Sequence, residues 1–247
     1  MKIYVIAHKD FEMPVEDKLY DKLFVGANGL KDREPLLKEG YIFDDTGENI
    51  SARNGEYCEL TGLYWMWKNS KEPVVGLCHY RRFFTSGACK LMNLFTGKKK
   101  ISLSEKKILK ILNKNDIIMH NRTFLKDTVR IQYSENHDGS QLDSVGDIIK
   151  EYYPDYYSDF EKVMNRHFVH FLNMFIMRKE LMDEYCEWIF GVLFKLESQN
   201  MEKKIDTNRL YGFLSEILFD VWVEHKGLKV REMFSINLER IDMKLIV

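Results

Sequence analysis

The sequence has only four cysteines, Cys58, Cys78, Cys89 and Cys186, irregularly spaced and with no CxxC pair. That argues against a disulfide framework or a zinc site and fits reduced thiols in a cytoplasmic protein. Neither sign of charge dominates: the net charge is −1, so no global field draws the chain to nucleic acid or to anionic lipid. Long apolar runs are missing as well. The opening MKIYVIAHKD holds five consecutive apolar residues, too few for the core of a signal peptide. Nothing approaches the roughly 18 apolar residues of a membrane span. There is no repeat, low-complexity tract or proline-rich linker, and the whole chain has four prolines. The seven histidines form no HExxH or HxH pair. His167 and His170 lie three apart without a third ligand at metal-site spacing, so they read as polar surface residues.

What is present describes an ordinary globular chain. Its 247 residues are 45% hydrophobic and 30% charged, enough for one large α/β domain or two small ones with a sizeable core. Thirteen tyrosines exceed what a core alone requires, and Tyr and Trp suit interfaces and ring stacking because each has an apolar face and a polar edge. Residues 3–7 form a buried strand that stops at His8, and a second strand is expected at 23–26. Residues 44–49 (DDTGEN) are turn chemistry. From 54 to 68 the pattern is helical, with Tyr57, Leu60, Tyr64 and Trp67 on one buried stripe. A strand at 74–78 follows Pro73, a basic helix covers 102–114, and a strand covers 116–119. Helices are expected at 141–151, 155–166, 179–198 and 207–225, a strand at 171–177, and a short tail at the end. Strands alternating with helices predict a mostly parallel sheet with helices on both faces, and the helix-rich second half contributes a lobe of its own.

Four segments can carry chemistry. In the first, the strand at 74–78 runs into His79-Tyr80-Arg81-Arg82. Ligands of open α/β sheets bind outside the carboxyl ends of the strands, so these side chains are delivered to that crevice. Guanidinium forks match phosphate oxygens, which makes a diphosphate the natural ligand. The alternative is one arginine in solvent and the other paired with a carboxylate. The second segment, DDTGENISARN at 44–54, sets Asn49, Ser51 and Asn54 before a helix, with Asn54 a candidate N-cap. A plain turn and cap explains it equally well. In the third, Asn173 is the one amide in an apolar strand, tied to nearby backbone or awaiting a ligand hydroxyl. In the fourth, Arg209, Gly212 and Glu216 share a helix face, where Gly212 admits a close neighbour and Glu216 is either a general base or half of an Arg–Glu pair. The basic residues Lys98–Lys100 and Lys106–Lys107 either meet anionic lipid or form a solvated helix face.

Together, A-H-K at 7–9, D-D-T-G-E-N-I-S-A-R-N, C-E-L-T-G-L-Y-W-M-W-K-N and G-L-C-H-Y-R-R-F-F, with N-M-F-I-M and R-L-Y-G-F-L-S-E further on, extend over nearly the whole chain. The sequence resembles the glycosyltransferases of bacterial capsular, exopolysaccharide and lipopolysaccharide gene clusters, a family long catalogued as a domain of unknown function. The resemblance implies a single GT-A-like domain over 1–247, with a nucleotide-sugar-binding half at about 1–120 and an acceptor-side half at about 121–247. It implies transfer of a hexosyl residue, galactosyl or galactofuranosyl, from a UDP-sugar to a lipid-linked oligosaccharide. The location implied is cytoplasmic, with peripheral contact at the inner face of the plasma membrane.

Many GT-A enzymes hold a metal with Asp-x-Asp at the strand end where this chain has His79-Tyr80-Arg81-Arg82. Arg81 and Arg82 are therefore expected to neutralise the leaving diphosphate, with no metal required and manganese only weakly stimulating. Asp44 and Asp45 belong to an earlier loop and are not equated with the metal motif. Ala7, His8, Asn49, Ser51, Asn54, His79 and Tyr80 are the donor-side candidates. Asn173, His137 and Arg209 are the acceptor-side candidates, and Glu216 is the expected base, with His137 or Asp143 as substitutes. A sugar-phosphate transferase and a catalytically silent nucleotide- or polysaccharide-binding module are the competing readings.

Overall fold

The computed structural model describes residues 1–14, 18–96, 101 and 103–238. The chain opens with β1 (Lys2–Ala7), β2 (Tyr20–Phe24), α1 (Glu34–Lys38) and β3 (Ile42–Phe43). Two short helices, α2 (Asn54–Tyr57) and α3 (Leu60–Asn69), lead to β4 (Val74–His79), β5 (Arg82–Thr85), α4 (Gly87–Thr96) and α5 (Glu105–Leu112). Next come β6 (Ile117–His120), β7 (Thr123–Phe124), α6 (Val129–Asn136), α7 (Gly139–Tyr152) and α8 (Tyr157–Met164). The last elements are β8 (Phe168–Val169), β9 (Phe175–Arg178), α9 (Lys179–Lys203), α10 (Leu210–His225) and β10 (Val230–Asn237).

Among the described residues, eight strands form one sheet in the order β3-β2-β1-β4-β5-β10-β6-β9, and β4 also pairs with β9. The pairs β1–β2, β2–β3, β1–β4 and β6–β10 are parallel. The pairs β4–β5, β5–β10, β4–β9 and β6–β9 are antiparallel. The sheet is therefore mixed, which corrects the expected mostly parallel arrangement. An apolar run announces a buried strand but says nothing of its direction, and β9 enters against both β4 and β6. The segment after residue 225, expected as a tail, supplies β10, which ties β5 to β6. The chain does not continue past Arg81 into a helix but folds back as β5, with His79 opposite Arg82.

Alternation along the strands divides the interior into two layers. Tyr4 and Ile6, Val75 and Leu77, and Phe175 and Met177 face the layer filled by α3, α7, α8, α9 and α10. Ile3, Val5 and Ala7, Val74 and Cys78, and Ile176 face the other layer, filled mainly by α5 and the loops around β2 and β3. The predicted helix over 54–68 is broken at Cys58, whose φ of 51° and ψ of −128° belong to neither helix nor strand. Of the expected stripe, Tyr57 and Leu60 are buried while Tyr64 and Trp67 are half-buried, Trp67 lying flat on Phe190 at 5.8 Å. Lys106 and Lys107 lie on α5, and Lys98–Lys100 fall outside the described residues. Among the described residues no helix is long and apolar enough to cross a membrane.

Gly76 sits where β4 is squeezed between its neighbours. A Cβ there meets Ile176 Cγ1 at 2.9 Å, Ile3 Cγ1 at 3.1 Å and the Phe175 carbonyl oxygen at 3.2 Å. Gly76→Ala is expected to destabilise the chain by about 1–3 kcal/mol through overpacking, read as a lower urea midpoint with an unchanged slope.

Candidate active site

After β1 the chain places β2 and β3 on one side of it and β4 on the other, so the carboxyl ends of β1 and β4 bound a switch point. Crevices of this kind are where α/β sheets hold ligands. A cavity of about 400 Å³ lies there. Ile6 and His8 line it from β1 and its end, His79, Tyr80, Arg81 and Arg82 from the β4–β5 hairpin, and Asn54, Cys58 and Glu59 from the broken helix. Leu172, Asn208, Arg209 and Glu216 close the far wall. Three guanidinium groups and two carboxylates thus share one small space.

Backbone geometry around this cavity is unusual. The non-glycine residues with left-handed φ among the described residues are Cys58, Leu172, Asn173, Lys204 and Arg209. Cys58, Leu172 and Arg209 line the cavity, and Asn173 adjoins it. Each such residue costs of order 1–3 kcal/mol, and strain of this kind collects at functional sites. Leu172 (φ 86°) is the most telling, because a γ-branched side chain gains nothing locally from that conformation. Its twisted peptide offers groups to the cavity on both sides. The Leu172 N–H donates to Glu216 Oε1 at 2.9 Å, and His79 Nε2 donates to the Leu172 carbonyl at 2.6 Å. A carbonyl can only accept, so that contact puts a proton on Nε2 of His79.

Glu216 is largely withdrawn from water, and its carboxyl is pushed up to about 8 by that burial and by the charge of Glu59. The Leu172 N–H, Arg82 and Arg209 act in the opposite direction without cancelling it. Burial and Glu59 also push the Cys58 thiol up to about 11, so it stays protonated near neutral pH. Arg81 lies 5.6 Å from the Tyr80 ring centre, and Tyr80 meets the His8 ring edge-on at 5.3 Å.

The structure brings His8, Asn54, His79, Tyr80, Arg81, Arg82, Arg209 and Glu216 together, and it sets the remaining expected residues elsewhere. Ala7 faces the opposite layer, since neighbours in a strand alternate. Ser51 is buried on Asp44, whose carboxylate also accepts the N–H groups of Gly26 and Ala27. Asn49 is half-buried and closes its own turn, accepting from the Ser51 N–H. Both residues therefore hold the loop, as turn chemistry does. Asn54 is not an N-cap; it is the first residue of α2, and its amide donates to the Cys58 carbonyl at 2.8 Å, bracing the helix break. Asn173 is not in the strand and does not line the cavity; its amide donates to Glu59 and to Ser215. His137 ends α6 with its ring on Phe213 at 4.3 Å, and burial lowers its pKa. Asp143 pairs with Arg130. Gly212 does admit a close neighbour: a Cβ there meets Cys58 at 3.2 Å.

Sequence reasoning missed Cys58, Glu59, Asn208 and Leu172 as cavity residues. The available signal was Cys58-Glu59 standing inside an otherwise apolar helical stripe. It also misread His170, which is buried between β8 and α10, not on the surface. His170 Nδ1 meets Asp220 Oδ1 at 2.6 Å, and Arg166 pairs with the same carboxylate. Burial alone would raise Asp220, but the hydrogen bonds from His170 and the charge of Arg166 outweigh it and hold the carboxyl below its usual range.

With this geometry in place, comparison with known proteins becomes informative. A family model described as a domain of unknown function (DUF4422) matches residues 2–227. The chain belongs to the DUF4422 family. No curated protein matches it. Among solved structures, this DUF4422 chain is similar to the apo structure of WbbM, a bifunctional glycosyltransferase, at 25% identity and a TM-score of 0.78. The likeness covers 97% of this chain and 45% of the WbbM chain, so the DUF4422 chain spans less than half the length of that protein. The mixed α/β fold is thus one found in a glycosyltransferase, and the cavity belongs to that fold.

The raised carboxyl of Glu216 has a consequence for stability. The folded state holds that proton up to about 8 and the unfolded chain only to about 4.5, so folding stability falls as pH rises between those values. The slope is at most about 1.4 kcal/mol per pH unit. Glu216→Gln keeps an oxygen for the Leu172 N–H and removes the ionisation. Its melting temperature is expected to match wild type near pH 4 and to exceed it by several degrees near pH 9. Parallel melting curves at both ends would show that Glu216 is not held neutral.

Proposed function

We propose that this chain is a glycosyltransferase that moves a hexosyl residue from a UDP-sugar to a surface-polysaccharide acceptor. The observation that carries the reading is the single cavity in which Arg81, Arg82 and Arg209 stand beside the carboxyl of Glu216. Transfer needs two things from a protein: stabilisation of the departing diphosphate and removal of the acceptor's proton. Arg81 and Arg82, on the hairpin at the sheet's carboxyl edge, are suited to the first, since guanidinium cations pair with phosphate oxygens in bidentate fashion and charges set in place beforehand stabilise a leaving diphosphate. Glu216 is suited to the second, because a base works best when its pKa lies near the working pH. In this reading the acceptor oxygen attacks the anomeric carbon, the bond to the diphosphate breaks, and the acceptor proton passes to Glu216. His8 and Tyr80 flank the donor at the end of β1.

The arginines take the part that a divalent metal plays in related chemistry. Among the described residues no three His, Cys, Asp or Glu side chains are grouped to hold a cation. Galactosyl or galactofuranosyl donors and a lipid-linked oligosaccharide acceptor are the favoured substrates, with the enzyme working at the cytoplasmic face of the membrane.

Calorimetric titration with UDP tests the reading. Binding is expected to survive EDTA and to weaken on the order of 10²-fold in the Arg81→Ala, Arg82→Ala double variant, each guanidinium contributing about 1.5–3 kcal/mol. Binding that requires manganese would remove the arginine-for-metal part. UMP among the turnover products in place of UDP would favour sugar-phosphate transfer, and no turnover with any UDP-sugar and acceptor would favour a silent binding module.

A further inference from the structure

Glu59 faces Glu216 across the cavity, and both are held by one strained dipeptide. Leu172 fixes Glu216 through its N–H, and Asn173 (φ 50°) fixes Glu59 Oε1 through its amide nitrogen at 2.9 Å. The amide has no freedom to turn over. Ser215 Oγ spends its own hydrogen on the Gly212 carbonyl at 2.7 Å, so it can only accept from Asn173 at 2.8 Å. Both Asn173 N–H bonds therefore point at acceptors, while Asn173 Oδ1 is buried without a hydrogen-bond partner. Leaving that oxygen unmatched has a cost that the protein sustains to present a donor to Glu59.

We propose that Glu59 is a positioning residue of the transfer site: held in place by Asn173, it strengthens Glu216 as the base that takes the acceptor's hydroxyl proton. The inference rests on the transferase reading above. The other groups facing Glu216 are Arg82 from β5 and Arg209 from the start of α10. Cys58, His79, His8, Arg81 and Tyr80 complete the titratable wall of the cavity. Glu59 is the carboxylate among these, and the cations act on Glu216 in the opposite sense. In the step itself the acceptor O–H bond breaks, its proton goes to Glu216, the new C–O bond forms, and the sugar–diphosphate bond breaks with its electron pair leaving on UDP. Glu59 exchanges no atom.

The test uses the full chain with ¹³C-labelled glutamate carboxyls, the Glu216 signal being assigned by its loss in Glu216→Gln. In Glu59→Gln, which keeps an oxygen for Asn173, the Glu216 titration midpoint is expected to fall by about one pH unit or more. The rising limb of the pH–kcat/KM profile should move down with it, and the plateau rate should drop several-fold as the base weakens. Glu59→Asp is expected to return the midpoint most of the way, and it serves should the glutamine variant fold poorly. A midpoint unmoved in Glu59→Gln, or a uniform loss of rate at every pH, would overturn the proposal. If wild type transfers no sugar while the Glu216 midpoint still moves, the transferase reading falls and the carboxylate pair stands.

Discussion

Much of this molecule depends on keeping one carboxyl, that of Glu216, out of water beside a second one. Placing two like groups in a small cleft disfavours the charged form of at least one of them. The fold meets that demand with backbone in place of an added ion. Leu172 and Asn173 adopt left-handed conformations in succession, and the result is one N–H for Glu216, one carbonyl for His79 and one side-chain donor for Glu59. Straightening either residue into the strand that follows would release three cavity groups together.

Such strain persists only where the surroundings over-determine it. Here they do. β9, directly after the dipeptide, is paired on both edges, with β4 and with β6, so its start cannot slide. On the other wall, Cys58 leaves the helical path with α2 and α3 braced across it by Asn54, and Gly212 of α10 lets that corner approach. Arg209 is anchored by its backbone N–H to the Gly55 carbonyl at 2.9 Å, which ties α10 to the same corner. Away from this cavity, the buried Asp220 binds His170 and Arg166, and Glu232 of β10 joins that cluster through His170 Nε2. The cavity walls are thus fixed from several elements at once. Such rigidity would suit the proposed transfer, in which charges are held in place.

The arginines and carboxylates divide the cavity's electrostatics. Arg82 and Arg209 temper Glu216 without reversing the effect of burial and Glu59. A departing diphosphate would bring negative charge to the arginine side, while the acceptor proton arrives on the carboxylate side. In the proposed transfer, one cleft would serve both ends of the displacement.

Local pattern made the elements legible. The buried run at 3–7, the strand at 74–78 and the long helix starting at 179 are visible because strand alternation and helical spacing are set by neighbours a few residues away. The crevice rule likewise placed His79, Tyr80, Arg81 and Arg82 at the carboxyl end of the strand, where the cavity lies, without knowledge of the fold. Other features were invisible for the same reason in reverse. β10 has a patchy burial pattern and gains its identity only by pairing with β5 and β6, and the antiparallel entry of β9 leaves no mark on its own composition. Glu59 and Asn173 stand 114 residues apart in the chain, so no local spacing announces their bond. Asn49 and Ser51 looked like ligand groups because turn chemistry and ligand chemistry use the same side chains. The sequence by itself determined most of the strands and helices, though not β10 or the break at Cys58, and which strand end carries the cations. Only the tertiary structure decided which carboxylates meet those cations and which backbone is strained to hold them, because both depend on contacts made after the chain has closed on itself.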